Sequence, residues 1–228
     1  MRVAVVGLGT AGAASALFLA RAGHAVTLFE RVPDPGPAGA GIMMQPSGLL
    51  VLERLGCAGP ILARGSRVDA LVASTTSGRR LLDLRYADLH PALFGVGLHR
   101  GVLFETLFDA VRSSGVVALR LGVEAAGLRD GCVVDGRGRA HGPFDLVVLG
   151  DGARSRVRDA LFALAKSVRP YPWGALWFIG ESRHVSRELV QFLEGTRRMV
   201  GVLPTGHGVA SLFSASRRRG ATRSSPPA

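Results

Sequence analysis

Short apolar runs bounded by glycine alternate with a helical segment in the first thirty residues of the chain. Arg2 to Val6 (RVAVV) and Ala25 to Phe29 (AVTLF) are apolar runs typical of strands that are buried on both faces of a parallel sheet. Between them, small and apolar residues up to Gly23 predict a helix that packs closely on that sheet. Phe144 to Leu149 (FDLVVL) is another such run. The pattern predicts an α/β fold built on a parallel sheet.

The pattern elsewhere predicts further short helices and many strands joined by turns. A β-hairpin is expected around Thr75 to Gly78, and Asp130-Gly131 and Asp135-Gly136 mark two more hairpin turns. The predicted helices are Ser47–Leu55, Val102–Val111 and Arg156–Phe162. The predicted strands are Arg67–Ser74, Arg79–Arg85, Phe94–Leu98, Val116–Leu121, Val123–Leu128 and the material in Tyr171–Gly180 and Met199–Phe213.

A glycine-rich turn joins the first strand to the first helix. Gly7, Gly9 and Gly12 form GxGxxG, with Thr10 and Ala11 between the last two. In such a motif the first glycine permits a tight turn, the second lets a pyrophosphate approach the backbone, and the third allows the helix to pack closely on the strand. Unpaired amides at the helix N-terminus favour an anion there. The turn therefore predicts a diphosphate-binding site.

An acidic residue closes the second strand. Glu30 follows Gly12 by eighteen residues, close to the position at which a carboxylate binds the ribose diol of an adenosine. Strand, glycine turn, helix, strand and terminal acid occur in this order, which a set of turn-forming glycines alone does not explain. The unit predicts binding of an ADP moiety, which is common to NAD and FAD.

The loop after Glu30 departs from a simple NAD-binding domain. Arg31 to Pro46 is rich in proline and glycine, where another helix and strand would be expected. Together with the helix that follows, it resembles the FAD-dependent monooxygenases of the para-hydroxybenzoate hydroxylase type. The resemblance implies a Rossmann-like FAD-binding domain (GR2-type) and the beginning of a β-sheet substrate domain. It also implies several cofactor contacts, which are Glu30 and Arg31 at the adenosine, Gly41, Ile42 and Gln45 near the flavin, Arg100 at the diphosphate or ribityl chain, and Val123 beside the adenine.

A second motif follows the apolar run that ends at Leu149. The segment DGARSRVR, from Asp151 to Arg158, is similar to the DG-x-x-S-x-x-R segment that lies near the FAD diphosphate in these hydroxylases and also serves the pyridine nucleotide. The resemblance gives this role to Asp151, Gly152, Ser155 and Arg158. Ser155 is also a suitable N-cap for the helix that follows it. An ordinary strand-to-helix turn is the alternative interpretation.

The domain boundaries follow from these motifs. We expect an FAD-binding domain at 1–166 with a hairpin insertion at about 67–98, a partial substrate-domain sheet at 167–213, and a basic, disordered tail at 214–228. The family's later Gly-Asp motif is missing, since the only Gly-Asp, Gly150-Asp151, belongs to the DG segment. We therefore interpret the chain as a truncated or frameshifted product. A functional basic tail is the alternative.

Composition narrows the class of protein further. The net charge of +11 comes from arginines spread along the chain, since Lys166 is the only lysine, and this distribution disfavours nucleic-acid binding. Two isolated cysteines indicate neither disulfides nor a metal site. Neither a signal peptide nor a membrane span is predicted, and a cytoplasmic location is expected.

The function implied by the resemblance is hydroxylation of a small aromatic or conjugated substrate by O2, with FAD as cofactor and NADPH or NADH as reductant. The cofactor carries the chemistry, and the protein binds, orients and excludes water. No catalytic acid or base is assigned, because no residue has the required spacing. A flavin-dependent reductase or halogenase of the same fold and an NAD-binding protein without flavin are the alternatives.

Overall fold

The computed structural model describes residues 1–161, 171–183 and 186–217. The helices in these ranges are α1 (Thr10–Arg21), α2 (Pro46–Arg54), α3 (Ala58–Arg64), α4 (Arg100–Ser113) and α5 (Arg156–Ala160). The strands are β1 (Arg2–Val6), β2 (Ala25–Glu30), β3 (Gly41–Met44), β4 (Ser66–Val68), β5 (Ala70–Thr75), β6 (Arg80–Arg85), β7 (Gly95–His99), β8 (Val117–Leu121), β9 (Ala125–Arg129), β10 (Cys132–Asp135), β11 (Ala140–His141), β12 (Leu146–Leu149), β13 (Trp173–Glu181), β14 (Glu188–Glu194), β15 (Arg198–Gly206) and β16 (Val209–Arg217).

Four parallel strands form the sheet that the apolar runs predict. Their order is β12-β1-β2-β8. Val3, Val5 and Leu28 are fully buried in this sheet, and Gly12, Ala13, Ala16 and Leu17 are the buried residues of α1. The small residues of α1 allow close packing, as the sequence predicts. The α/β fold class is confirmed.

A three-stranded antiparallel meander, β11-β10-β9, adds a second layer to the same unit. Val133 from the meander packs in one apolar cluster with Ala4, Phe29 and Val157. Because this cluster joins β1, β2, β10 and α5, it fixes the end of β2, where Glu30 lies.

The C-terminal strands form a mixed six-stranded sheet of order β13-β16-β15-β14-β5-β6. Most neighbours are antiparallel, but β14 runs parallel to β5, with Val190 opposite Val72. Val68, Leu189, Leu203 and Phe213 form the core of this region. A smaller sheet, β3-β7-β4, lies in the same unit.

The chain divides into two compact units, whose residue ranges differ from the expected domain boundaries. The first unit comprises 1–38, 50–61 and 100–168, and the second comprises 39–49, 62–99 and 169–228. The hairpin expected as an insertion at about 67–98 thus belongs with the C-terminal strands, because β5 pairs with β14. The predicted domain end at 166 and helix end at Phe162 lie outside the described residues.

Four local differences from the predicted elements have physical causes. The loop Arg31–Pro46 contains a strand, β3, which pairs with β7. α3 and β14 are additional elements without a strong pattern of their own. The predicted disorder at 214–228 is corrected for residues 214–217, which extend β16 between β13 and β15. Residues 218–228 lie outside the described ranges.

Candidate nucleotide-binding site

The glycine turn after β1 is held by backbone contacts that exclude side chains at two positions. Gly7 has φ +94°, and its N–H donates to the carbonyl of Phe29 at 2.8 Å. A Cβ at Gly7 would lie 2.7 Å from the Gly150 oxygen, and a Cβ at Gly12 would lie 1.8 Å from the Gly7 oxygen. Gly7 and Gly12 are therefore required by the packing of the turn itself.

Gly9 is different, because protein packing does not require it. It is the N-cap of α1 in an extended conformation that any residue adopts, and an added Cβ would meet only the Gly150 oxygen, at 3.9 Å. The first helical hydrogen bond runs from Ala13 N–H to the Gly9 oxygen at 2.9 Å, so the N–H groups of Thr10, Ala11 and Gly12 precede it. The first turn of α1 carries no acidic side chain. This opening is suited to an anion.

The Glu30 carboxylate is fixed beside the turn by two backbone N–H groups. Its Oε2 accepts from Leu8 at 2.8 Å, and its Oε1 accepts from Val32 at 2.9 Å. A carboxylate oxygen has a second lone pair, so each oxygen can accept one more hydrogen bond. Glu30 can therefore stabilise the turn and, at the same time, accept hydrogen bonds from the hydroxyl groups of a ribose.

A cleft of about 250 Å³ in the first unit brings the predicted motifs together. Its lining comes from the glycine turn, the end of β2, the start of β9 and the segment after β12. Seven of the predicted site residues line it, namely Gly7, Gly9, Glu30, Arg31, Val123, Asp151 and Gly152. Val123 is held there by its N–H, which donates to the Glu30 carbonyl at 2.9 Å.

Six further predicted residues of the first unit do not line this cleft. Thr10, Ala11 and Gly12 form the first turn of α1, next to Gly9. The other three lie near the starts of α5 and α4. Ser155 is 3% exposed, and its Oγ accepts from the Arg158 N–H at 2.9 Å, so it caps α5 as predicted. Arg158 donates from Nη2 to the Ala153 carbonyl at 3.0 Å, which holds the DG turn. Arg100 begins α4, and its guanidinium makes no ion pair within the described ranges.

The remaining predicted residues, Gly41, Ile42 and Gln45, lie in the second unit. Gly41 donates from its N–H to Ser211 Oγ at 3.2 Å, and a Cβ there would lie 2.5 Å from the Ser211 Cβ. Gln45 Oε1 accepts from the Tyr86 hydroxyl. Burial raises the pKa of Tyr86 above its ordinary value, and the hydrogen bond to Gln45 opposes this more weakly. Tyr86 therefore stays protonated and orients the Gln45 amide.

Among the cleft residues that sequence reasoning did not assign to the site, three are charged and one packs against the glycine turn. Glu124, Arg154 and Arg156 line the cleft, and Arg156 Nη1 lies 3.1 Å from Glu124 Oε1. Gly150 also lines it, and a Cβ at this position would lie 3.0 Å from the Gly12 Cα. Gly150 could have been identified from the sequence, because it lies between a buried strand and the Asp151-Gly152 pair. No periodicity singles out Glu124.

A parallel sheet with this glycine turn, and with a carboxylate at the end of its second strand, defines a dinucleotide-binding domain of the Rossmann type. The chain belongs to the FAD binding domain family, whose sequence model matches residues 1–226. The match extends through residues 214–226, whose composition differs from that of the preceding chain.

The chain is similar to several monooxygenases over much of its own length. It is 29% identical to the aurachin C monooxygenase/isomerase of Stigmatella aurantiaca over 94% of this chain and 56% of that protein. It is also 29% identical to the 3-hydroxybenzoate 6-hydroxylase of Klebsiella oxytoca, over 71% of this chain and 42% of that protein. The chain spans about half the length of these relatives or less.

A solved structure confirms the fold. The tetrameric form of 2-methyl-3-hydroxypyridine-5-carboxylic acid oxygenase superimposes with a TM-score of 0.83 at 22% identity, and the match covers 99% of this chain and 61% of the other. No helix within the described ranges has the length and apolar character needed to cross a membrane.

Proposed function

We propose that the cleft of the first unit binds the ADP portion of FAD, and that the chain serves in an NAD(P)H-dependent monooxygenase acting on a small aromatic or conjugated substrate. The observation that carries the proposal is the pairing of an open Gly9 position with the fixed Glu30 carboxylate. Membership of the FAD binding domain family and the names of the relatives support it.

The residues present fit the ADP moiety. The N–H groups at the start of α1 suit the charge of the diphosphate. The open side of Gly9 leaves room for the diphosphate to approach the backbone closely. The second lone pairs of the Glu30 oxygens suit the ribose hydroxyls. Val123 and Ala125 add apolar surface to the cleft for the adenine.

The proposed roles of the other residues follow from their places in the chain. Asp151 and Gly152 would lie near the diphosphate, with Ser155 and Arg158 acting through the turn that they hold. Arg100 would contact the diphosphate or ribityl chain, since an arginine at a helix start opposes the helix dipole and is favoured by a nearby anion. By resemblance, Gly41, Ile42 and Gln45 contact the flavin ring, with the Gln45 amide oriented by Tyr86.

Bound FAD would supply the redox chemistry of a reaction in which NADPH or NADH is the reductant and O2 provides one oxygen atom to the substrate and one to water. The chain's own contribution is to hold the cofactor, to orient it and to exclude water from it. A cytoplasmic location is consistent with this dependence on NAD(P)H.

An FAD titration tests the binding proposal. The purified chain should take up one equivalent of FAD, as measured by quenching of flavin or tryptophan fluorescence. FAD should bind at least about tenfold tighter than NAD. Absence of uptake by soluble protein, or tighter binding of NAD, would overturn the proposal.

A separate assay tests the reaction. NADPH and NADH oxidation should be stimulated by a phenolic or other conjugated substrate, and mass spectrometry should detect a product with one added oxygen atom. If the FAD-loaded chain yields a reduced or halogenated product instead, the proposed reaction is wrong, while the cofactor site stands.

A further inference from the structure

The first unit contains a second cavity, separate from the nucleotide cleft. It has a volume of about 360 Å³, which lies within the usual range for small-molecule sites. Arg2 and Ala25 line it at the starts of β1 and β2, and Val116 lines it just before β8. The cavity runs along the sheet from Ala25 to Phe29 of β2, whereas the nucleotide cleft lies beyond the carboxyl ends of β1 and β2. Phe29 is the one residue that lines both.

The floor of this cavity is a stretch of sheet with small side chains. The parallel register places Thr27 opposite Ala118, Ala25 opposite Arg2, and Phe29 opposite Arg120. The two arginines therefore lie on the strands that flank β2, with Cα atoms separated by about 13 Å along the strands and about 10 Å across them. Because Ala25, Thr27 and Ala118 between them are short, the floor is low enough to admit a flat molecule.

Aromatic rings form the wall of the cavity. The Phe29 ring meets His141 edge-on, with centroids 5.4 Å apart, and meets Phe144 edge-on at 6.0 Å. Phe29 is 2% exposed and belongs to the core, so the half-buried Phe144 and His141 present the ring surface to the cavity. Phe144 can accept another aromatic ring in an edge-to-face or offset arrangement. The wall therefore favours a planar, apolar ligand body over a flexible polar one.

The charge lining the cavity is positive. Arg2 and Arg120 line it, and no aspartate or glutamate does so among the described residues. Asp135 accepts from His141 Nε2 at 2.9 Å, and Asp145 accepts from the Arg2 backbone N–H at 2.7 Å, so each nearby carboxylate has a partner. The Arg2 guanidinium lies 5.9 Å from the Phe144 centroid. Within the described ranges Arg120 forms no ion pair, which leaves it available to an anion.

We propose that this cavity binds a small aromatic carboxylate. The ring lies on the floor of Ala25, Thr27 and Ala118 against Phe144 and His141, and the carboxylate pairs with Arg120. A guanidinium can bind a carboxylate through two parallel hydrogen bonds, which makes Arg120 the specificity-determining residue. The site is independent of the FAD proposal, because the residues that would hold the ligand do not line the nucleotide cleft.

Equilibrium dialysis with 2-naphthoate tests this site, with the neutral 2-naphthamide as the comparison ligand. The full chain should bind 2-naphthoate both with and without saturating FAD. It should bind 2-naphthamide at least about tenfold more weakly than 2-naphthoate. Arg120→Ala should remove the ionic partner and weaken 2-naphthoate binding by about tenfold or more. Ala118→Phe should fill the floor and weaken both ligands.

The matched control is Arg129→Ala, which removes an exposed arginine of the same unit that lines neither cavity. This variant should bind 2-naphthoate as the parent chain does. Thermal unfolding and FAD titration should be unchanged in all three variants. No binding of 2-naphthoate, equal binding by Arg120→Ala, or loss of binding on FAD addition would each overturn the proposal, the last because the probe would then occupy the nucleotide cleft.

Discussion

Single glycines have distinct roles in the turn after β1, and substitution separates them. Gly12→Ala should destabilise the first unit by about 3 kcal/mol or more, because its Cβ would lie 1.8 Å from the Gly7 oxygen. Gly9→Ala should cost about 1 kcal/mol or less, because its Cβ meets nothing closer than 3.9 Å. It should nevertheless weaken FAD binding by about tenfold or more, because the methyl group occupies the approach of the diphosphate.

Urea unfolding and FAD titration measure the two effects separately. Gly23→Ala is unsuitable as a control because Gly23 has φ +82°, whereas Gly59→Ala places its Cβ in open space and should change neither quantity greatly. Equal FAD affinities for Gly9→Ala and the parent chain would contradict the assigned role of Gly9.

The Glu30 carboxylate should contribute to nucleotide binding through its charge as well as its position. Glu30→Gln keeps the shape but weakens the acceptance of the Leu8 and Val32 N–H groups and of the ribose hydroxyls. FAD affinity should fall by roughly tenfold to a hundredfold, because hydrogen bonds to charged groups are the stronger ones. Glu53→Gln, on α2, is the matched control for isothermal titration. A parent-like affinity of Glu30→Gln would contradict the site.

The sequence could predict those site residues that have a fixed spacing in the chain. Gly7, Gly9, Glu30 and Asp151 all line the cleft, because each stands at a strand end or a turn whose position the apolar runs define. Glu124 and Arg156 could not be predicted, since their approach depends on how the meander and α5 pack against each other. Sequence spacing carries no information about that packing.

At the scale of the element, the cap of α5 can be tested by a single change. Ser155→Ala should lower the free energy of unfolding by about 1 kcal/mol, because Ser155 Oγ accepts from the Arg158 N–H at the first turn. Ser113→Ala, at the exposed end of α4, should change the free energy of unfolding by only about a few tenths of a kcal/mol. Chemical denaturation compares the two. Equal stabilities would show that α5 does not depend on its cap.

The last strand gives a second test at this scale. Ala215 pairs with Ala175 of β13 and with Met199 of β15, so β16 has a neighbour on both sides there. Ala215→Pro should cost about 1–3 kcal/mol, because proline removes a ladder donor and leaves an acceptor unpaired. Ala215→Ser keeps the N–H and is the control in thermal unfolding. Equal stability of the two variants would contradict the extension of β16 beyond Phe213.

Elements with strong periodicity were predicted, and elements that depend on partners were not. β1, α1, β2 and α4 follow from apolar runs and helical spacing, with bounds within two residues. β3 lies in a loop rich in glycine and proline and is a strand only because β7 pairs with it. The serines and arginine at the end of β16 carry no apolar signal, and pairing with β13 orders them.

For the whole molecule, charge is the property most open to measurement. The net charge of +11 produces self-repulsion in the folded state, which dissolved salt screens. The Tm should therefore rise as NaCl is increased from about 10 mM to about 150 mM. Glycerol at equal osmolality is the non-ionic control in differential scanning fluorimetry. A Tm that falls with salt would show that exposed ion pairs, such as Arg67 with Asp69, outweigh the repulsion.

The division into two units was the least predictable feature. A linear boundary at 166 was the natural expectation, because the two flavin motifs both lie before it. The structure instead assigns residues 62–99 to the unit that contains the C-terminal strands, through the parallel pairing of β5 with β14. The pairing of β5 with β14 leaves no signature in either segment, so only the three-dimensional structure reveals it.

The contact between Gly150 and Gly12 joins two segments that are far apart in the chain. The cleft is complete only when β12 has aligned beside β1 and the residues up to Arg156 have joined it. Translation must therefore pass Arg156 before the complete cleft can exist, even though the glycine turn emerges first. We therefore expect the cofactor to bind after the two segments have met, so that its uptake would report a late step of folding.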